Sequence, residues 1–245
     1  MLQQVVNGLS LGAVYAVFAI GFTLVFGVLN ILNLSQGAVF MWGAYVGLEM
    51  VRSLAAPLPV AILVAMAAAG LLGVASEILI FRVLRRRHAH RWMGMVASLA
   101  LARILIAVAQ EVFGTQVVTY PRNALAGAFI ELFGARIQIL QLVAIGVAVV
   151  MMLALAVLLR ATRLGRGIRT VAFSESVARL VGVPVDRITI ATFFVSGALA
   201  GGAGVLWSLL FQSVSPFMGD GILLKGLTVL ILGGLGNVPG ALVGG

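Results

Sequence analysis

Cysteine is absent from this sequence. That excludes disulfides and thiolate metal sites, and it leaves no redox signature from which to read a compartment. Charge is also scarce: only 9% of the 245 residues are charged, with seven acidic side chains against sixteen basic ones. A soluble domain carries roughly a quarter charged residues. With 62% hydrophobic residues, this chain has too little polar surface to face water, and lipid must be the solvent for most of it. No Gly-x-x-x-x-Gly-Lys-Ser/Thr occurs, so nucleotide chemistry of that kind is not expected here. Gly233 to Gly240 is glycine-rich but offers no lysine to a phosphate. Clustered nucleophiles and carboxylates at ligand spacing are missing too, which removes the case for a membrane enzyme. His88 and His90 sit among arginines, a poor setting for a metal, so neither a metal nor a bound cofactor is expected. The start, Met1-Leu2-Gln3-Gln4, has no basic n-region, so the first apolar run reads as a spanning helix and not as a cleaved signal.

Long apolar runs are what the sequence does contain. A bilayer core about 30 Å thick takes about 20 apolar residues per helix. Runs of that order cover about Val5–Leu29, Leu34–Val51, Leu58–Phe81, Trp92–Phe113, Ile137–Leu159 and Ile188–Phe211. A last stretch, about Ile222–Gly245, is interrupted by Gly233-Gly234-Leu235-Gly236-Asn237-Val238-Pro239-Gly240. The runs predict an all-α, polytopic transmembrane helix bundle, a single domain over residues 1–245 with about seven to eight spanning or partly spanning helices. They are too long and continuous for membrane-barrel strands. The apolar end Leu242-Val243-Gly244-Gly245 reads as a truncation. Trp42, Trp92 and Trp207 are expected toward helix ends, as interfacial anchors.

All the basic residues but Lys225 are arginine, and the net charge is +9. In a soluble protein that balance would point to nucleic acid. Here most of the arginines gather in two segments between apolar runs. One holds Arg82, Arg85, Arg86, Arg87 and Arg91; the other holds Arg160, Arg163, Arg166, Arg169, Arg179 and Arg187. This pattern fits topology control and anionic lipid headgroups, with no nucleic-acid partner. The positive-inside rule puts both segments in the cytoplasm and the N-terminus outside.

The second segment, 160–187, forms a long loop. Ala172, Glu175, Ala178 and Val181 fall at helical spacing, and Gly182 is a natural stop. A short amphipathic helix over Gly167–Val181 is therefore predicted. It has two readings: a basic helix lying on anionic lipid, or a docking helix for a cytoplasmic partner's groove.

Three blocks carry a family resemblance. The stretch Arg169 to Arg187 looks like the cytoplasmic coupling loop of ABC importer permeases. Asn7-Gly8-Leu9-Ser10-Leu11-Gly12-Ala13-Val14-Tyr15-Ala16 is followed by Gly21-Phe22-Thr23-Leu24-Val25-Phe26-Gly27 and by Asn33-Leu34-Ser35-Gln36-Gly37. Lys225-Gly226-Leu227-Thr228 leads into Leu232-Gly233-Gly234-Leu235-Gly236-Asn237-Val238-Pro239-Gly240-Ala241. Together these resemble the H-type permease of high-affinity branched-chain amino acid ABC importers, and related urea and amide permeases look similar. Ser35-Gln36 stands where the family usually has Ala-His, and Ser176-Val177 after Glu175 departs from a strict Glu-Ala-Ala loop.

The resemblance implies a permease subunit without an ATPase site of its own. Its partners would be cytoplasmic ATPases that use ATP, a second permease subunit and a periplasmic binding protein. Its place would be the bacterial inner membrane. Within segment 160–187 it implies an ATPase-coupling role for Arg169, Ala172, Glu175, Ser176, Ala178, Leu180 and Gly182. The alternatives are a urea or short-amide permease, or an ATP-independent secondary transporter. The last would need acidic residues deep in the membrane, and only Glu77 and Glu111 are candidates.

Polar side chains in the helices are candidates to line a path: Asn7, Ser10, Tyr15, Asn33, Ser35, Gln36, Lys225 and Thr228. A zwitterion must be partly desolvated to cross, and broken helices often supply the needed dipoles. Asn30–Gly37 and Gly233–Gly240 are the candidate breaks. Gly8, Gly12 and Ala16, like Ser196, Ala200 and Gly204, recur every four residues and make smooth faces, for packing within the subunit or for a sliding contact. Arg103, central in its run, is expected to face the bundle interior and pair with a carboxylate or carbonyls, as a strut or in the path. Glu77 is expected to snorkel.

Overall fold

The computed structural model describes residues 2–87, 89–120, 129–132, 135–234, 236, 240–241 and 244–245. Leu235, Asn237, Val238 and Pro239 of the C-terminal break, together with His88, Leu242 and Val243, lie outside the described residues. Three helices supply most of the buried hydrophobic residues described: α1 (Leu2–Leu29), α2 (Gln36–Ser53) and α9 (Val185–Phe211). Around them stand α3 (Leu58–Ser76), α5 (Arg91–Phe113), α6 (Ile139–Ala161) and α10 (Met218–Gly233). Five of these elements are long and apolar enough to cross a membrane; α2, with 18 residues, and α10, with 16, make up the rest. The chain is thus a polytopic helical membrane bundle with seven spanning or partly spanning helices among the described residues.

Small residues explain why three helices converge. A Cβ on Gly43 would strike the Gly201 backbone, one on Gly204 the Phe40 carbonyl, and one on Gly197 the Ala69 carbonyl. α9 therefore lies backbone to backbone against α2 on one side and α3 on the other. Contacts of this kind replace the hydrophobic effect as the driving force between helices in lipid. The pairings Gln36–Ser196, Gly43–Gly201 and Gly47–Val205 advance in step, so α2 and α9 run parallel.

Three local features depart from the sequence expectation. First, α3 does not continue as a plain helix to Phe81. It passes through a π-helical turn at Glu77–Phe81, where the Arg82 N–H donates to the Glu77 carbonyl, and then into α4 (Arg82–Arg86). Second, the loop after α5 carries short strands: β1 (Val118–Thr119) pairs with β4 (Ser213–Val214), and β2 (Phe129–Leu132) with β3 (Ala135–Gln138), both antiparallel. Apart from Ile137 and Gln138 at the edge of one run, they lie outside the apolar runs, so the long apolar segments stay helical. Third, the predicted helix over Gly167–Val181 is two helices, α7 (Arg163–Phe173) and α8 (Glu175–Leu180), with Ser174 extended between them.

The Ser174 break has a local cause. Its hydroxyl accepts from the Val177 N–H at 3.4 Å and caps α8, as Thr162 accepts from Gly165 N–H at 3.0 Å to cap α7. Side-chain caps of this kind stabilise a fresh helix start over a continued helix. α8 then ends as a Schellman turn. Val183 N–H donates to the Ala178 carbonyl at 2.9 Å, and Gly182 N–H to Arg179 at 3.1 Å, with Gly182 at φ +76°. Glycine adopts that conformation without strain.

Candidate functional site

Polar groups gather at three places. The first is the junction between α1 and α2. Asn30 turns the chain at φ +52°, a conformation asparagine tolerates better than most residues. The chain then folds back into the bundle. Gln36 Nε2 donates to the Ser196 carbonyl at 3.0 Å and to its hydroxyl at 2.9 Å. Ser196 Oγ in turn donates to the Gly21 carbonyl at 2.7 Å. Gly21 lies eight residues before the end of α1 at Leu29, about 12 Å along its axis. α2 therefore begins inside the bundle, beside the middle of α9. Asn33 holds the turn: its Oδ1 accepts from Ser35 Oγ at 2.6 Å and from Ser35 N–H at 3.2 Å. Its Nδ2 faces Gln36 Oε1 at 3.4 Å, and Leu34 N–H donates to Ser98 Oγ at 3.0 Å. Asn33, Ser35 and Gln36 are buried. They tie three helices together; none presents a side chain to the subunit's outside.

The second place is the outer face of α10. Lys225 Nζ donates to Tyr15 Oη at 2.7 Å and sits over the rings of Tyr15 and Trp207, at 5.0 and 5.8 Å from their centroids. Among the described residues no carboxylate pairs with it. Thr228, three residues on, is exposed and donates to the Leu224 carbonyl at 3.0 Å. At the start of α10, Asp220 Oδ2 meets Arg103 Nη1 at 3.3 Å. Arg103 thus has the carboxylate partner the sequence suggested, but not the orientation. Its side chain is 60% exposed and that of Asp220 46%, so the pair faces out of the subunit and not into the core. Lys225, Asp220 and Arg103 all lie within helices of the bundle. A charge at mid-bilayer costs about 2.5–3.5 kcal/mol on insertion scales. A face carrying three of them is poorly suited to acyl chains.

A contrasting surface lies across α3, α6 and α9. A groove of about 530 Å³ there is lined by apolar side chains such as Leu63, Met66, Val147, Val150, Phe194 and Leu199. That composition suits lipid tails.

The third place is the basic end. Ile168, Val171, Ala178 and Val185 form a small core with Val28 of α1, and Arg169 donates to the Leu159 carbonyl of α6. α7 and α8 are thereby fixed to the ends of α1, α6 and α9. Ala178 is fully buried in this core; Leu180 and Phe173, each 86% exposed, point away from it. Ala172 is half-buried, and Ser176 and Gly182 are exposed. Glu175 Oε1 accepts from Arg179 Nη2 at 2.8 Å, and this hydrogen bond holds the Arg179 guanidinium above its ordinary pKa range.

Next to this loop lies an ion-pair network that the sequence did not reveal. Glu77 Oε1 accepts from Arg85 Nη2 at 2.8 Å; the same nitrogen reaches Asp186 Oδ1 at 3.0 Å, and Arg82 Nη2 reaches Asp186 Oδ2 at 3.3 Å. Glu77 does not snorkel to water: its side chain is completely buried. Arg85, eight residues on and beyond the π-helical turn, reaches back to Glu77.

The remaining predicted positions scatter. Asn7 is exposed and accepts from Gln141 Nε2 at 2.9 Å, while Ser10 is buried and donates to the Asn7 carbonyl at 2.9 Å. Gly8 has open space where a Cβ would stand; a Cβ on Gly12 would meet the Gly245 carbonyl. Ala200 and Gly204 pack inside the bundle. Trp42 is not an end anchor: it lies within α2, and its Nε1 donates to the Leu105 carbonyl at 3.0 Å. Beyond the spanning helices, burial pushes the Tyr120 hydroxyl up to about 12.

Comparison with known proteins agrees with this architecture. Residues 4–245 match the family model described as branched-chain amino acid transport system / permease component. The chain is 33% identical to the high-affinity branched-chain amino acid transport system permease protein LivH of Escherichia coli K12, over all of this chain and 82% of the relative. It is 31% identical, with the same coverage, to the corresponding permease protein BraD of Pseudomonas aeruginosa. A probable LivH of Methanocaldococcus jannaschii is 29% identical over 93% of this chain and 72% of the relative. No solved structure matches. The family match over residues 4–245, together with the full-length likeness to LivH, places the chain among the branched-chain amino acid transport system permease components, and it belongs to that family.

Proposed function

We propose that this chain is one half of the gated path of an importer that carries branched-chain amino acids across the bacterial inner membrane. Separate ATPases supply the energy. The observation that carries this reading is the outward face of α10, where Lys225, Thr228 and the Arg103–Asp220 pair lie exposed on helices of the bundle. Such a face needs a polar neighbour. A second, related permease subunit set against it would close a polar route between the two, with Tyr15 and Lys225 on its wall. A binding protein outside would deliver the amino acid.

The arginine-rich end is assigned to the cytoplasm by its charge. There α7 and α8 offer exposed Phe173, Leu180 and Val181 on a rigid base, the arrangement expected of a handle for an ATPase groove. The loop joins directly to α9, which packs on α1, α2 and α3, so displacement of the handle reaches the centre of the bundle. Membrane lipid covers the apolar α3, α6 and α9 groove.

The test is reconstitution. Proteoliposomes holding the chain with its ATPases and second permease should take up labelled leucine from a loaded binding protein, only with ATP inside the ATPase compartment. Uptake by the chain alone, without any ATPase, would overturn the proposal. Preferential uptake of urea or acetamide would retain the transport class and reject the substrate.

A further inference from the structure

Two of the ion-pair systems among the described residues differ in a way that assigns them different work. The Glu77–Arg85 contact is short, 2.8 Å, with Glu77 wholly buried and Arg85 shared with a second carboxylate. The Arg103–Asp220 contact is a single one at 3.3 Å, between side chains that are 60% and 46% exposed. A charge-assisted hydrogen bond normally closes to about 2.7–2.9 Å. Arg103 has five N–H donors available and, among the described residues, commits one nitrogen. The pair is therefore loosely made, although it stands in the part of the protein where an unmet charge is most costly.

Its placement is equally specific. Arg103 is twelve residues from the start of α5 and ten from its end, about 18 and 15 Å along the axis. Asp220 is in the first turn of α10, where the helix dipole favours a carboxylate. α5 and α10 do not pack along their lengths among the described residues, so the pair bridges an opening between them. The exposed side chains of Phe217 and Leu224, three residues before Asp220 and four after it, put apolar surface on the same stripe of α10.

We propose that Arg103 and Asp220 are the substrate-reading pair of the path. An entering amino acid opens their contact, its carboxylate taking Arg103 and its ammonium taking Asp220. This rests on the reading that the α10 face is the path. A zwitterion carries one group of each sign, so it exchanges one ion pair for two and leaves no charge unmet at any stage. Urea or a short amide has no charge to give either partner, and a simple carboxylate would strand Asp220. The same exchange places the substrate's side chain beside Phe217 and Leu224, the apolar surface a branched chain needs.

The experiment uses the complete reconstituted importer and compares Arg103→Gln, Asp220→Asn, Arg103→Lys and the reversed pair Arg103→Asp with Asp220→Arg. Arg103→Gln and Asp220→Asn should copurify with their ATPases and lose leucine uptake at least tenfold, in kcat and not in KM for the loaded binding protein. Arg103→Lys, which keeps the charge, should retain most uptake. The reversed pair restores the ion pair but presents the substrate's side chain the wrong way round, so it should assemble and still fail to transport. Wild-type uptake in either neutral variant overturns the proposal. So does a reversed pair that recovers both assembly and uptake lost in the single variants, because that marks a strut. If the unaltered importer moves no amino acid, the transport reading itself fails; if it moves leucine and the variants do too, only the pair is wrong.

Discussion

Gly37 and Gly219 meet backbone to backbone: a Cβ on either would strike the other's carbonyl group. α2 and α10 thus begin side by side in the bundle interior, and no side chain fits between their first turns. Overpacking a tight contact typically costs about 1–3 kcal/mol. Gly219→Val should therefore push α10 outward, lower the unfolding temperature of the purified subunit and abolish uptake. Gly146→Ala is the control. That glycine lies on α6 with open space around its Cα, and alanine there should be neutral or slightly stabilising. An unchanged unfolding temperature in Gly219→Val would show that α10 does not start where it is placed here.

The Glu77 network predicts an order of damage. Arg85→Ala strips a fully buried carboxylate of its partner, and breaking a buried pair from one side costs about 3–5 kcal/mol. Arg82→Ala removes a contact of 3.3 Å between groups 29% and 38% exposed, a loss of about 0–1 kcal/mol. Thermal unfolding should rank Arg85→Ala far below Arg82→Ala. Replacing Glu77 and Arg85 together by leucine should recover most of the loss, since no buried charge is then stranded. Equal effects of the two alanine variants would contradict the burial that distinguishes them.

Docking of an ATPase can be separated from folding of the loop that receives it. Ala178→Asp would bury a carboxylate in the core formed with Ile168, Val171 and Val28, so its failure would report on folding. Gly182→Asp would strain a φ of +76°. Leu180, 86% exposed, is the better probe. Leu180→Asp should leave expression and insertion intact and abolish copurification of the ATPase. Retention of the ATPase by Leu180→Asp together with Phe173→Asp would remove this surface from the docking interface.

The helices were legible in the sequence because lipid imposes a length and a polarity that few residues violate. The ends of α5, α6 and α9 fall within a few residues of the apolar runs. What stayed hidden depends on contacts between distant segments. Nothing local marks Glu77 as buried; that follows from Arg85 and from Asp186 on another helix. The Ser174 break has a local signal, as serine before Glu175 is a helix-start pattern, but apolar residues at helical spacing run straight across it. Among the candidate path residues, polarity identified Asn33, Ser35 and Gln36 together with Tyr15, Lys225 and Thr228. Only the packing separates them, with the first three turned inward as braces and the others turned outward on the α1 and α10 face.

The absence of cysteine makes that outward face directly testable, because each introduced thiol is the only one in the chain. Thr228 and Leu153 are both exposed side chains on helices of the bundle. They differ in surroundings. Thr228 shares its helix with Lys225 and Asp220, whereas Leu153 on α6 has exposed Val150 and Val157 on either side. A thiol reacts as the thiolate, which needs water. In membranes containing the complete importer, Thr228→Cys should react with a small aqueous thiosulfonate reagent, and substrate delivery should change the rate. Leu153→Cys should remain unmodified by the same reagent and react with a lipid-soluble maleimide. Protection of Thr228→Cys from every aqueous reagent, in all nucleotide states, would mean that lipid or a dry protein contact covers α10, and the route would have to run elsewhere.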